Sequence, residues 1–328
     1  MYKIAKAPKE EIEELIRKTA EITDIFESLI EKDFWVTVML SLLFEKTSFK
    51  DHILFKGGTS LSKGFNLINR FSEDIDIILD WRQLGITDEE AFKERSNTQQ
   101  DKFNKHVDSL GADYIKNTIL PELISVIKEN LTDDLKVFIE DDPHIICIEY
   151  VKSFKNEYLL PIVKLEIGPR ASRIPSVDKE VSAYIIEHYP SLFEKKSCLV
   201  KTITAERTFW EKITILHSVA MSGKCPVRYS RHYYDVYKFL KSDIMKSVLT
   251  DLSLLEQVVE FTKKFYISSK GNYDTAKIGS LSLVPSNENI STLRNDYKKM
   301  GNMLFGDIPD FDSIMKSISE FEGKLNKR

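Results

Sequence analysis

Two short strings in this chain hold residue types that could do phosphate chemistry. One is Gly57-Gly58-Thr59-Ser60 and the other is Asp74-Ile75-Asp76. Paired glycines, lacking Cβ atoms, let backbone approach a phosphate closely. The N–H groups that open a helix then donate to it. Side chains alternate along a strand, so Asp74 and Asp76 project from one face, and Ile75 and Ile77 from the other, into a core. Two adjacent carboxylates repel unless a cation sits between them. Hard divalent ions such as magnesium take oxygen ligands, often one or two carboxylates plus substrate phosphate. A phosphate cradle beside metal-binding carboxylates points to phosphoryl or nucleotidyl transfer. Each string alone has a plainer reading: a turn for Gly-Gly, a solvated strand face or loop for Asp-x-Asp. Their joint occurrence, in strand–turn–helix–strand order, favours the chemical reading.

The elements that must position these residues follow from hydrophobic pattern. Residues 53–55 read as a buried strand, 60–65 as a short helix and 74–79 as a second strand. Strand-like runs at 135–140, 145–150 and 159–167 form a meander that extends the same sheet, with Asp141-Asp142-Pro143 as one turn. In the last run Lys164 and Glu166 share a face. A glutamate flanked by Leu165 and Ile167 is costly if buried unpaired. A metal shared with Asp74 and Asp76 would relieve that cost; the alternative is an ordinary edge-strand glutamate. Helices are expected after Pro8, over 25–44, and over 88–129, where Leu120, Leu123, Ile124 and Ile127 make one stripe. Pro175, Pro190 and the polar run at Lys195-Lys196-Ser197 mark a boundary, dividing the chain into domains 1–195 and 196–328. From Thr204, a candidate cap, the remainder reads as helical. Lys212 lies beside Phe209 and Leu216 on the first of these helices. Arg231 and Asp235, four apart, share a face of the second. Helices over 252–266, 290–305 and 311–325 close the bundle.

Gly57-Gly58-Thr59-Ser60-Leu61, followed by Arg70-Phe71-Ser72 and Asp74-Ile75-Asp76, resembles the nucleotidyltransferase superfamily that includes DNA polymerase beta. More narrowly it resembles the AbiEii/AbiGii-type toxins, the nucleotidyltransferase halves of bacterial type IV toxin–antitoxin and abortive-infection systems, with the MenT-type toxins as relatives. Glu31-Lys32-Asp33-Phe34-Trp35 resembles a stretch common ahead of the glycines in that family; read as residues alone, it is equally a charged helix surface. The resemblance covers roughly residues 30–240. It implies an α/β (α+β) nucleotidyltransferase fold with a mixed, mostly antiparallel sheet, plus a C-terminal helical bundle. It implies Asp74, Asp76 and Glu166 as ligands of magnesium or manganese, with Gly57, Gly58, Thr59 and Ser60 as the phosphate cradle. Arg70, Ser72, Arg170 and Arg231 are the further nucleotide-binding positions it implies. Arg170, in Glu-x-Gly-Pro-Arg, matches a basic residue often present after this motif. The family also carries a Glu and a Lys on one later helix, then an Arg and an Asp on the next. The matching positions are Glu206, Lys212, Arg231 and Asp235. The resemblance implies that Lys212 holds triphosphate or stabilises leaving-group charge, and that Asp235 is needed for activity. Without the family these would read as a snorkelling lysine and a helix-surface ion pair. His232 stands where an Asp is common, a departure that alters the local hydrogen bonding.

Bulk properties bound the reading. At 328 residues, one large or two modest domains are expected. A net charge of −4 gives no global basic field, so an RNA substrate would rely on local patches. Cys147, Cys198 and Cys225 form no CxxC pair, which fits buried small residues in a reducing cytoplasm and argues against a zinc module. No apolar run approaches the ~18 residues of a membrane span, and the opening residues lack an apolar signal core. The expected reaction is transfer of a nucleotide from a nucleoside triphosphate to an acceptor. By resemblance the acceptor is the 3′ end of tRNA, and a cognate antitoxin protein is the partner. The alternatives are a small-molecule or protein hydroxyl as acceptor, or an inactive nucleotide- or RNA-binding module.

Overall fold

The computed structural model describes residues 1–72, 74–132, 134–154, 159–268 and 270–327. They cluster into two compact units. One comprises Met1–Phe65, Phe71–Arg95 and Lys102–Ile203; the other comprises Asn66–Arg70, Ser96–Asp101 and Thr204–Arg328.

The first unit is built on a sheet of seven strands among the described residues. They are β1 (Ile53–Lys56), β2 (Asp74–Leu79), β3 (Lys136–Ile139), β4 (Ile145–Glu149), β5 (Ile162–Gly168), β6 (Ser176–Val181) and β7 (Cys198–Ile203). Their order is β3-β4-β5-β2-β1-β7-β6. The β2/β5 and β1/β7 pairs are parallel and the other neighbours antiparallel, which makes the sheet mixed and mostly antiparallel. The meander β3–β4–β5 joins β2, as its alternating pattern implies. β6 and β7 lie in and just after the stretch whose prolines and lysines read as a domain boundary. β6 is an edge strand whose Asp178, Lys179 and Glu180 keep it charged, a usual way of protecting an edge. β7 follows the lysine-rich run that reads as a boundary, so its alternation of buried Cys198, Val200 and Thr202 with exposed Leu199 and Lys201 was hidden by its flank.

One sheet face is apolar: Phe55, Ile75, Ile77, Ile146, Ile148, Leu165 and Ile167 are all buried there. Helix α1 (Lys9–Thr23) precedes α2 (Glu27–Glu45), and α2 packs on β7 and β5. From Ser28 to Phe44 every residue of α2 is buried. A helix buried on all sides belongs to an interior rather than a surface. The charged triplet Glu31-Lys32-Asp33 is therefore inside the unit, not on a helix surface. Glu31 accepts the N–H groups of Ser153 at 2.8 Å and Phe154 at 3.4 Å. Asp33 takes the Lys63 ammonium at 2.5 Å and the Tyr184 N–H at 2.8 Å. Burial pushes both carboxyls up, against the pull of these partners.

The short helix α3 (Gly57–Lys63) follows β1 directly. Between β2 and β3 lie α4 (Asn97–Tyr114) and α5 (Leu120–Asn130), joined by a π turn at Ile115–Ile119. Pro121, early in α5, has no N–H to continue an α ladder, and the wider turn accommodates it. The helix α6 (Tyr184–His188) lies between β6 and β7.

The second unit is a helical bundle of α7 (Ala205–Ser222), α8 (Ser230–Leu240), α9 (Ser253–Phe265), α10 (Asn287–Lys299) and α11 (Phe311–Asn326). Thr204 caps α7 by accepting the Arg207 N–H at 3.4 Å, and Gly223, at φ 65°, ends it in the left-handed conformation that glycine allows. At the bundle centre Phe209 meets Phe239 and Phe321 edge-on at 5.3 and 5.7 Å. No helix among the described residues is long and apolar enough to cross a membrane.

Candidate active site

In the first unit the sheet face opposite the apolar one carries the acids. β2 and β5 run parallel in a register that sets Asp76 beside Glu166 and Asp74 beside Lys164. Along β2, Asp74 and Asp76 are half-buried while Ile75 and Ile77 are buried. Along β5, Lys164 and Glu166 reach solvent while Leu165 and Ile167 do not. The three carboxylates thus leave two adjacent strands on one face. β5 is interior to the sheet, so Glu166 is not an edge-strand residue.

Gly57 closes this face from the β1 side. Its φ is +78°, and an added Cβ would fall 1.9 Å from Oδ2 of Asp76. Only a glycine permits both the left-handed backbone and that approach. The neighbouring hydroxyls do not face outward. Thr59, buried, donates to the carbonyls of Asp74 and, at 3.4 Å, Ser72. Ser60, also buried, donates to Gly57 O at 2.9 Å. Thr59 thus ties the start of α3 to the start of β2, Ser60 bonds within α3, and both hydroxyls are engaged by the protein's own carbonyls. Ser72 is half-buried.

Two lysines share the acidic face and escaped the sequence reading as site residues. Lys56 stands in register with Asp76 across β1, and Lys164 with Asp74. Like-charge repulsion between the aspartates is therefore already opposed by protein cations. Arg170, expected at a phosphate, directs its Nε to Oδ1 of Asp108 at 2.6 Å.

The donor set suits a hard cation. It is oxygen only, with neither imidazole nor thiolate. Among the described residues no three His, Cys, Asp or Glu side chains are gathered into a metal-binding cluster. The arrangement fits an ion that draws its remaining ligands from substrate phosphate and water, the usual habit of magnesium.

The second unit holds the other candidates. Asp235 is fully buried and takes a two-pronged contact from Arg70, Nε to Oδ1 at 2.7 Å and Nη2 to Oδ2 at 2.9 Å. Lys212 reaches the same Oδ2 at 2.7 Å. Asp235 therefore pairs with Arg70 and Lys212, not with Arg231 four residues back on its own helix. Arg70, expected at the nucleotide, is a buried clamp on this carboxylate. Burial opposes the charge on Asp235, but Arg70 and Lys212 outweigh it and hold the carboxyl well below its usual range. For Lys212, burial and the Arg70 charge push the ammonium down while Asp235 opposes them. Arg231 is half-buried and adds repulsion to Lys212.

His232 departs from the family's aspartate with a clear consequence. Burial first, then Lys212 and Arg231, drive its pKa well below the usual histidine value, so it is neutral where an aspartate would be an anion. Its Nδ1 is buried with no hydrogen-bond partner among the described residues. Two cations, Arg70 and Lys212, thus share one carboxylate, and Arg231 adds a third positive charge that acts on Lys212 and His232. Glu206 lies apart from them and accepts the Ser247 hydroxyl at 2.7 Å.

No curated protein matches the chain in sequence. Among solved structures it is similar to MenT4, a nucleotidyltransferase toxin of Mycobacterium tuberculosis, at 14% identity and a TM-score of 0.52 over 96% of this chain and 97% of that one. At that identity the likeness establishes the fold. The family model described as nucleotidyl transferase AbiEii toxin, type IV toxin–antitoxin system, matches residues 41–319. With most of its length under that match, this chain belongs to the AbiEii family of nucleotidyltransferase toxins.

Proposed function

We propose that this protein is a magnesium- or manganese-dependent nucleotidyltransferase that moves a nucleotide from a nucleoside triphosphate to a hydroxyl at the 3′ end of tRNA. An acceptor oxygen attacks the α-phosphorus, the bond to the β-phosphate bridging oxygen breaks, and pyrophosphate leaves. The observation that carries this reading is the register of Asp76 beside Glu166, with Asp74 on the same face and Gly57 against Asp76. Asp74, Asp76 and Glu166 are the residues assigned to hold the ion. When bound, it would neutralise triphosphate charge and lower the pKa of the attacking hydroxyl.

The backbone of Gly57 and Gly58 is assigned to phosphate, supported by the absence of side-chain bulk. Thr59 and Ser60 orient that backbone. Lys212 and Arg231 are assigned to triphosphate charge, supported by the cationic excess around Asp235 and by the family motif. Asp235 holds Lys212 in place, and Arg70 holds Asp235. The two compact units correspond on this reading to a nucleotidyltransferase domain and a helical domain, in a cytoplasmic protein whose partner is a cognate antitoxin.

Incubation with labelled nucleoside triphosphates, magnesium and total RNA tests the reading. Label on tRNA is expected, and Asp76→Ala should abolish it while the fold survives. Label on a small molecule or on protein would replace the acceptor. Unchanged transfer by Asp76→Ala would end the carboxylate assignment.

A further inference from the structure

One charged pair on the acidic face has no part in the reaction as derived above. Lys164 is flanked in register by Asp74 on β2 and Cys147 on β4. Neighbouring strands lie about 4.8 Å apart, and a lysine side chain easily spans that gap, so Asp74 is within its reach. The ammonium goes the other way, to Oε1 of Glu140 at 2.6 Å. Asp74 acts on it only at longer range.

Glu140 is itself well anchored. It follows β3, and its N–H donates to Ile145 O at 3.1 Å. The buried thiol of Cys147 hydrogen-bonds to its carboxylate. Burial, then Glu140, pushes that thiol up to about 12, so it stays protonated and donates. Lys164 therefore has two carboxylates in reach, and the one beyond the acidic centre is fixed in position from two sides.

We propose that Glu140 parks the Lys164 ammonium away from Asp74 and so sets the divalent-cation affinity of the Asp74–Asp76–Glu166 face. The proposal rests on the assignment of those three residues to a metal. An ammonium and a divalent ion compete for the same carboxylate oxygens, and each repels the other. With Glu140 present, the lysine is engaged and distant. Without it, Asp74 becomes the nearest anion on the face, and Lys164 moves toward the place the ion would take. Bringing a monovalent cation from about 10 Å to about 5 Å from a divalent one weakens binding about fourfold at the dielectric of water, and more in a lower dielectric. Glu140 and Lys164 are thus positioning residues.

The test is manganese binding by calorimetry on the full chain without nucleotide. Four proteins are compared: wild type, Glu140→Gln, Lys164→Met and the double variant. Both side chains are 32% exposed, so neither substitution empties the core. Glu140→Asp, which shortens the reach by one methylene, is the companion variant if Glu140→Gln folds poorly. Glu140→Gln should bind manganese at least about fourfold more weakly, and Lys164→Met at least as tightly as wild type. The double variant should return to the level of Lys164→Met. Wild-type affinity in Glu140→Gln, or a double variant as weak as Glu140→Gln, overturns the proposal while leaving the metal assignment intact. A wild-type protein that takes up no manganese, or an Asp76→Ala variant that takes it up unchanged, removes the metal assignment and the proposal with it.

Discussion

Replacing Asp235 by alanine should cost far more stability than replacing Lys212 by methionine, although both changes break the same contact. Asp235 is fully buried, and its two oxygens receive Arg70 at 2.7 and 2.9 Å and Lys212 at 2.7 Å. Removing the carboxylate strands two buried cations. Breaking one buried pair costs about 3–5 kcal/mol, and stranding two charges places Asp235→Ala at the upper end. Lys212→Met loses one charge-assisted hydrogen bond, worth about 1.5–3 kcal/mol. It also removes the desolvation cost of a buried ammonium, and methionine fills similar volume, so the net loss is about 1 kcal/mol. The Arg70 clamp survives that change. Because the sites touch, the double variant Lys212→Met/Asp235→Ala should fall short of the sum, as one stranded charge has gone. The measurement is urea unfolding followed by hydrogen exchange in α7 and α8 peptides. A pH series adds a sign. The folded carboxyl lies below its unfolded value of about 3.9, so its contribution is complete above that pH and is lost as pH falls through the folded value. Equal losses for Asp235→Ala and Lys212→Met would show that one carboxylate is not serving two cations. Lys212→Met should nonetheless slow transfer, which separates the chemical assignment of the lysine from its structural one.

Gly57→Ala should be destabilising by about 1–2 kcal/mol from its left-handed backbone alone. A Cβ placed 1.9 Å from Asp76 Oδ2 must also displace that carboxylate, so transfer should drop at least about tenfold, on the scale of small misplacements of reacting groups. Near-normal kinetics in a stably folded Gly57→Ala protein would mean that the carboxylate position does not matter. A separate pH effect is expected in the second unit. His217 is buried, and its Nδ1 accepts the Ser282 N–H at 3.1 Å. Its Nε2 faces Asn272 O and the Thr275 hydroxyl, each at 3.2 Å. Burial lowers its pKa, against the Asn272 carbonyl and Glu322. The unfolded chain therefore takes up a proton first as pH drops below about 6.5, and stability falls from there toward the folded value. Protection factors over residues 272–282, taken relative to the intrinsic exchange rate at each pH, should fall between pH 7.5 and 5.5 in wild type and lose that dependence in His217→Gln; a flat wild-type profile would contradict it.

What could be read in advance was whatever obeys a local rule. Alternation located β1, β2 and the β3–β4–β5 meander, and it put Asp74 and Asp76 on one face and Ile75 and Ile77 on the other. Helical spacing located α7 and α8, and Thr204 showed itself as a cap. Contacts set by distant segments could not be found this way. The i,i+4 rule offers Arg231 to Asp235, but that rule describes a helix surface, and Asp235 points inward to Arg70, 165 residues away in sequence. Glu31 and Asp33 look like surface because their partners, Ser153 for the one and Lys63 and Tyr184 for the other, are supplied from elsewhere in the chain. The acidic face shows the limit most clearly. Two aspartates on one face require positive charge nearby, and their spacing is silent on whether protein or ion provides it. Strand register answers part of that question, because it sets Lys56 beside Asp76 and Lys164 beside Asp74. On the proposed metal assignment, a protein that brings its own cations to this face must also keep them from occupying the ion's place. That requirement gives Glu140 a reason to lie where it does, one that neither Asp-x-Asp nor the glycine pair contains.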